Sequence, residues 1–299
     1  MLKYQINPKL RIISETSVSQ EAIRNMEKVR NPVVAGTFYP SNPEKLKNLL
    51  KSFFGDSFKV NTEKLIPPMG AIVPHAGYIY SGETAAKAYK KVFEKGIAKR
   101  VFLLGPNHTG LGSKISVFTS GSWKTPLGTI NVDGKTAGKI LKELDIYNDE
   151  SAHSREHSLE VQLPFLQYAI GNDFEIVPIC MMDQSLETSK NLGEILADII
   201  EEGDLIIASS DMNHYESHEK TLLKDEKVIE TLKNMNLQEM YDTIRRYNIS
   251  MCGYGPVAAL LSIGFTDIEI IDHTTSGLIS GDYEAVVGYL SAIVSNLQK

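Results

Sequence analysis

The chain has 299 residues, 42% hydrophobic and 23% charged, enough for a sizeable buried core in one large α/β domain or two ordinary ones. A net charge of -6 and a pI near 5.7 argue against general electrostatic binding of nucleic acid. No stretch approaches the ~18 apolar residues of a membrane span, the start "MLKYQINPKLRIISETS" has no apolar leader core, and two cysteines cannot build a disulfide framework, so the expectation is a cytoplasmic protein with no membrane partner.

Residues 1–30 are polar and mixed in charge, with a short helix suggested at "SQEAIRNMEKV"; they read as an extension to a single domain over 31–299. "GTFYPSNPEKL" (36–46) is a turn with aromatic residues leading into a helix, and the aromatics are expected in the core. "GAIVPH" (70–75) reads as a strand and "SGETAAKAYKKVFEKG" (81–96) as a helix capped by Ser81. "RVFLLGPNH" (100–108) is a second apolar strand, and "KISVFTSGSWKTPLGTINVD" (114–133) suggests two strands joined by a Gly/Ser turn. A helix is expected at 134–146, then a polar stretch, then helical spacing over 159–170 that Pro164 must kink or break.

"FEIVPICM" (174–181) is a strand, 185–203 a helix, and "DLIIASSDMNH" (204–214) a strand with a polar end. Two helices fall within 219–247, and "GYGPVAALLSIGF" (253–265) opens another, with Pro256 in its first turn. "DIEIIDHTTS" (267–276) and "EAVVGYLSAIVS" (284–295) close the chain as strands. There is no internal repeat and no linker long enough to divide it. Strands alternating with helices, plus one antiparallel insert, predict an α/β fold: a mixed β-sheet flanked by helices on both faces.

Three apolar strands deliver polar residues at their carboxyl ends: His75 after "AIVP", His108 after "VFLLGPN", and Asp211 with His214 after "LIIASS". Ligand crevices of α/β sheets lie outside those ends, so the three should converge. One such histidine is usually a turn residue; three in one chain favour a site. Cys252 precedes a helix, where the dipole favours thiolate, although most free cysteines are simply small buried groups. Cys180 sits inside an apolar strand and reads as core. His153 and His157 have i, i+4 spacing without an HExxH motif, which reads as chance, with His157 kept only as a pocket residue. His218 and His273 read as solvated or structural. Neither GxxxxGK[ST] nor GxGxxG occurs.

Taken in order, "NPVVAGTFYPSNPEKL", "VPHAGYIYSGETAAKAY", "LLGPNHTG", "EHSLEVQLPFLQ", "SSDMNHY" and "CGYGPVAALL" resemble the Memo family, over roughly residues 31–298. That family is named for an animal mediator of cell motility and is similar in fold to class III extradiol dioxygenases, whose iron is held by two histidines and a glutamate. The resemblance implies site residues at His75, His108, Asp211, His214 and Cys252, with His75, His108 and Cys252 as metal ligands. A cysteine where a dioxygenase has glutamate argues against catechol cleavage, because thiolate alters the metal's electronics and its sensitivity to oxidation.

Three functions fit these residues. The first is a redox-active protein binding iron or copper, with zinc also compatible, in which Asp211 and His214 orient a ligand or act as acid and base. The second is a peptide- or phosphopeptide-binding module using the pocket without metal. The third is a metal-free nucleophilic enzyme using Cys252 with His214 or His75. The partner is accordingly a small molecule or a peptide, and the residues do not specify an oligomeric state.

Overall fold

The apolar runs around 71, 102 and 206 supply side chains to both faces of a sheet, because successive residues of a strand point to opposite sides. Val101, Leu103, Leu205, Ile207, Ala71 and Val73 enter one core, while Phe102, Leu104, Ile206, Ala208 and Ile72 enter the other. A strand buried on both faces has no reason to alternate with polar residues, which explains the unbroken hydrophobicity.

The computed structural model describes residues 28–298. Its elements run β1 (Val29–Arg30), α1 (Pro43–Phe54), β2 (Met69–Val73), α2 (Tyr78–Phe93), β3 (Arg100–Pro106), β4 (Ile115–Val117), β5 (Ser122–Thr125), β6 (Gly128–Val132) and α3 (Gly134–Leu144). Next come two 3₁₀ turns (Glu150–Ser154 and Glu160–Gln162), α4 (Leu163–Ile170), β7 (Glu175–Met181), α5 (Leu186–Ala197), β8 (Asp204–Ser209) and β9 (His214–Glu216). The chain ends with α6 (His218–Lys233), α7 (Leu237–Tyr247), α8 (Tyr254–Leu261), β10 (Phe265–Thr275), α9 (Gly277–Ser280) and β11 (Val286–Leu297).

The strands form one mixed sheet in the order β1-β5-β6-β7-β3-β8-β2-β11-β10, with β4 paired to β7 and β9 to β11. β2, β8, β3, β7 and β6 pair in parallel, as β1 does with β5, whereas β11 is antiparallel to β2 and β10, and β5 is antiparallel to β6. Side chains of α1, α2 and α4 pack in one core, and those of α3, α5, α6, α7 and α8 in the other. The mixed sheet with helices on both faces is therefore present. No helix among the described residues is long and apolar enough to cross a membrane.

Several local expectations change. The helix suggested at 19–29 lies outside the described residues except for its last two, and Val29–Arg30 pairs with β5, so the sheet includes the end of the expected extension. Helix α2 begins at Tyr78 with Gly77 at its N-cap; Ser81 lies inside it, bonding the carbonyl of Ala76. The 114–133 insert holds three strands, and Pro164 occupies the first turn of α4, where its missing N–H costs nothing. The expected strand 204–214 stops at Ser209, and His214 starts the separate β9.

Candidate metal centre

β3, β8 and β2 are adjacent and parallel, so their carboxyl ends lie side by side; Val73 is in register with Ser209, and Leu104 with Ala208. The turns leaving those strands carry His75, His108 and Asp211 to one rim. Two glycines let other segments close on that rim. A Cβ on Gly253 would lie 2.3 Å from the Ser209 carbonyl oxygen, so glycine seats the Cys252 turn directly on the end of β8. A Cβ on Gly105 would lie 2.6 Å from Ser158 Oγ, so glycine admits the 156–158 segment onto β3.

The result is a cluster in which the ligating atoms of His75, His108 and Cys252 all lie within 4.8 Å of one another. Cys252 Sγ is 3.2 Å from His75 Nε2. The His75 and His108 rings meet edge to face with centroids 5.2 Å apart.

Hydrogen-bond bookkeeping assigns the tautomers. Ser209 Oγ has a single proton, donated to the Ser158 carbonyl at 2.8 Å. Ser209 Oγ also accepts from Gln162 Nε2 at 2.9 Å, an amide oriented by its second bond to the Pro74 carbonyl at 3.0 Å. The contact of 2.8 Å between Ser209 Oγ and His75 Nδ1 is then one in which Nδ1–H donates, leaving a lone pair on Nε2 facing Cys252. His108 Nδ1 donates to Glu156 Oε1 at 2.9 Å, since that carboxylate only accepts, so a neutral His108 also presents a bare Nε2. Such partners hold a ligating imidazole in one orientation and raise its basicity.

Glu156 is fully buried and receives the backbone amides of His108, His157 and Ser158 as well as the His108 ring. Burial would raise its pKa, but the His108 hydrogen bond and charge, with the Ser158 amide, outweigh it and hold the carboxyl at about 2. Burial pushes His75 well below the ordinary imidazole range, and charge on His157, His108 or His214 would push it further. A neutral His75 with a free Nε2 is the form a metal needs.

Asp211 accepts the backbone N–H of His75 at 2.8 Å, and its own amide donates to Cys252 Sγ at 3.2 Å. Burial pushes its carboxyl up to about 7, against the His75 and Ala76 amides and the charge of His108. His214 donates Nδ1–H to the Ser250 carbonyl at 2.9 Å and its backbone N–H to Ser250 Oγ at 2.7 Å, tying β9 to the segment that leads into Cys252. Burial lowers its pKa.

Cys252 departs from expectation. Its half-buried side chain packs its sulfur among Asp211, Ser210 and His75, and burial, reinforced by the Asp211 charge, drives the thiol well above its ordinary range. Desolvation outweighs the dipole of α8, which starts two residues later. Without a metal the thiol proton is therefore retained and donated to His75 Nε2; a bound cation would displace it. Cys180 is buried in β7 as expected.

The i, i+4 spacing of His153 and His157 does not bring the two rings into one cluster. His153 is buried against Phe118 and Trp123, but His157 and Glu156 belong to the site. Glu156, Ser209 and Gln162 went unrecognised because an isolated polar residue carries no periodic signal. The "EH" pair in "REHSLEVQ" was the available hint. Phe38 from the aromatic turn reaches His157, whereas Tyr39 is core. His218 and His273 are structural, bonding Thr275 and Asp225 respectively.

Two imidazole nitrogens and a sulfur suit a borderline or soft cation such as Fe(II), Cu or Zn, and not Mg²⁺ or Ca²⁺. Around a tetrahedral ion with bonds of ~2.0–2.3 Å the ligating atoms lie roughly 3.3–3.6 Å apart. The 3.2 Å separation of His75 Nε2 and Cys252 Sγ is close to that. The residues present fit a metal.

A family model described as "Memo-like protein" matches residues 30–293. A MEMO1 family protein of Methanopyrus kandleri is 42% identical over 278 residues, covering 88% of this chain and 98% of its own. One from Thermotoga maritima is 45% identical over 277 residues, covering 89% of this chain and 99% of its own. In three dimensions the chain is similar to an uncharacterized protein of Escherichia coli K12, with a TM-score of 0.53, 12% identity, and coverage of 76% of this chain and 99% of that one. That likeness concerns the fold alone.

Proposed function

This chain belongs to the Memo-like protein family, and on that premise we propose that it is a redox-active metalloprotein holding one iron or copper ion on His75 Nε2, His108 Nε2 and Cys252 Sγ. The observation that carries the reading is the meeting of these three donor atoms within 4.8 Å, with both imidazole tautomers set by buried partners. Three protein donors are one fewer than a closed structural site uses, which leaves a position for an exogenous ligand. An iron or copper ion there would supply Lewis acidity and one-electron chemistry.

The remaining work falls to the protein. Ser209 and Glu156 hold the two imidazoles in their ligating tautomers. Asp211 anchors the His75 backbone, and with a pKa near 7 it can hold or release a proton around neutrality. His214, protonated at Nδ1 by its bond to Ser250, keeps Nε2 as a base that can take a proton from a bound ligand.

Metal analysis of protein purified without an affinity-tag metal tests this. Wild type is expected to carry or take up stoichiometric iron or copper, and Cys252→Ser to lose it while remaining folded by circular dichroism. Wild type that binds no Fe(II), Cu or Zn, or a serine variant that binds them as tightly, would overturn the reading. Metal-free protein that still binds peptides would instead favour a peptide-binding pocket.

A further inference from the structure

His157 differs from the other imidazoles of the site. His75, His108 and His214 each commit Nδ1 to a protein acceptor. Among the described residues, neither ring nitrogen of His157 makes a hydrogen bond. Its Nδ1 lies 3.4 Å from Glu156 Oε1, an oxygen that already accepts from the His108 ring and from the amides of His157 and Ser158. Yet the ring is immobilised by packing. It stacks on His108 with centroids 4.7 Å apart at 26°, meets the His75 ring edge to face at 5.4 Å, and lies 4.7 Å from the Phe38 ring. Its side chain retains 22% exposure.

His108, Glu156 and His157 also bring potential ligating atoms within 4.8 Å, but a second cation does not fit there. Oε1 of Glu156 already accepts three N–H groups, the His108 ring among them, and Oε2 accepts the His108 amide. A cation held through Oε1 and His108 Nδ1 would displace the bond that sets the His108 tautomer. What remains is a rigid, partly open imidazole beside both metal-ligand rings, with an N–H and a lone pair unspent. Packing on Phe38, His75 and His108 fixes the ring while its nitrogens, partly exposed, stay available to a ligand.

We propose that His157 is the ligand-contact residue of this centre, donating a hydrogen bond to a small oxygen- or nitrogen-donor anion that occupies the position left open beside His75, His108 and Cys252. This rests on the metal reading above. Because the ring is already fixed by His75, His108 and Phe38, the ligand need not order it on binding.

The test uses the full chain loaded with Co(II), with azide as the anion probe. Co(II) affinity is measured first, by the thiolate-to-metal absorption, for wild type, His157→Ala, His157→Gln and His75→Ala. His157→Ala is expected to match wild type in Co(II) affinity, whereas His75→Ala does not. Azide affinity should then fall about tenfold to a hundredfold in His157→Ala, the range of a hydrogen bond to a charged group, and recover in part in His157→Gln, which can still donate. Unchanged azide affinity in a Co(II)-loaded His157→Ala protein overturns this proposal alone. A loss of Co(II) affinity as large as that of His75→Ala also overturns it, making His157 a metal ligand. Wild type that takes up neither Co(II) nor Fe(II), Cu or Zn removes the metal reading, and this proposal with it.

Discussion

Removing the Ser209 hydroxyl tests whether the hydrogen-bond chain beneath His75 does what its geometry implies. Ser209→Ala deletes the acceptor of His75 Nδ1–H at 2.8 Å and of Gln162 Nε2 at 2.9 Å, and the donor to the Ser158 carbonyl at 2.8 Å. Gln162 keeps its bond to the Pro74 carbonyl at 3.0 Å, and the Ser158 carbonyl keeps only a contact of 3.5 Å from the same amide. One buried N–H is therefore orphaned outright and one carbonyl nearly so. At about 1–3 kcal/mol for an unsatisfied buried group, the loss of stability is about 2–4 kcal/mol. His75 can escape part of this by moving its proton to Nε2, but that consumes the ligating lone pair. Metal affinity should then fall about tenfold to a hundredfold, as for other groups that orient a ligand from behind. Urea unfolding at fixed pH reads the first effect as a lower midpoint with unchanged slope, and a Co(II) titration reads the second. A variant within about 0.5 kcal/mol of wild type, below what any of the mechanisms invoked here would produce, with unaltered metal affinity, would refute the tautomer assignment.

Arg30→Met should destabilise the fold by about 3–5 kcal/mol, because Glu160 is fully buried and would lose the guanidinium 2.7 Å away; urea midpoints measure it, and a loss under about 1 kcal/mol would show the pair to be dispensable. His153 is buried with Nδ1 unpartnered, and burial lowers its pKa to about 4 from 6.5. Between those values the unfolded chain binds a proton that the folded chain does not, so acid favours unfolding. About 3 kcal/mol should be lost as pH falls from 6.5 to below 4, and His153→Gln should lose correspondingly less between pH 7 and 4.5 in urea titrations; identical losses would count against the assignment. In metal-free protein, iodoacetamide should label half-buried Cys252 before fully buried Cys180, slowly and faster as pH rises, because burial raises both thiols; mass spectrometry showing Cys180 labelled first would contradict this.

Much of the frame was legible in the residues themselves. Unbroken apolar runs ending at Val73, Leu104 and Ala208 mark strands buried on both faces, and the polar residues that soon follow, among them His75, His108 and Asp211, mark their exits. Periodicity and burial of a strand are local properties, so a single sequence carries them. The resemblance implied a ligand role for Cys252, which position alone left open between a reactive and an inert thiol. Only the tertiary structure decided the rest. Glu156 and His157 join the site because Gly105 admits their segment onto β3, and Cys252 does so because Gly253 seats its turn on β8. The dipole argument for a thiolate failed because the dielectric around a sulfur is set by everything packed upon it, and nothing in the neighbouring residues reports that. The contacts that set the chemistry of His75 reach Ser209, Asp211 and Cys252, which are 134, 136 and 177 residues away along the chain. Helix and strand signals extend over a few residues, whereas a proton's position depends on whichever groups the fold brings within about 3 Å.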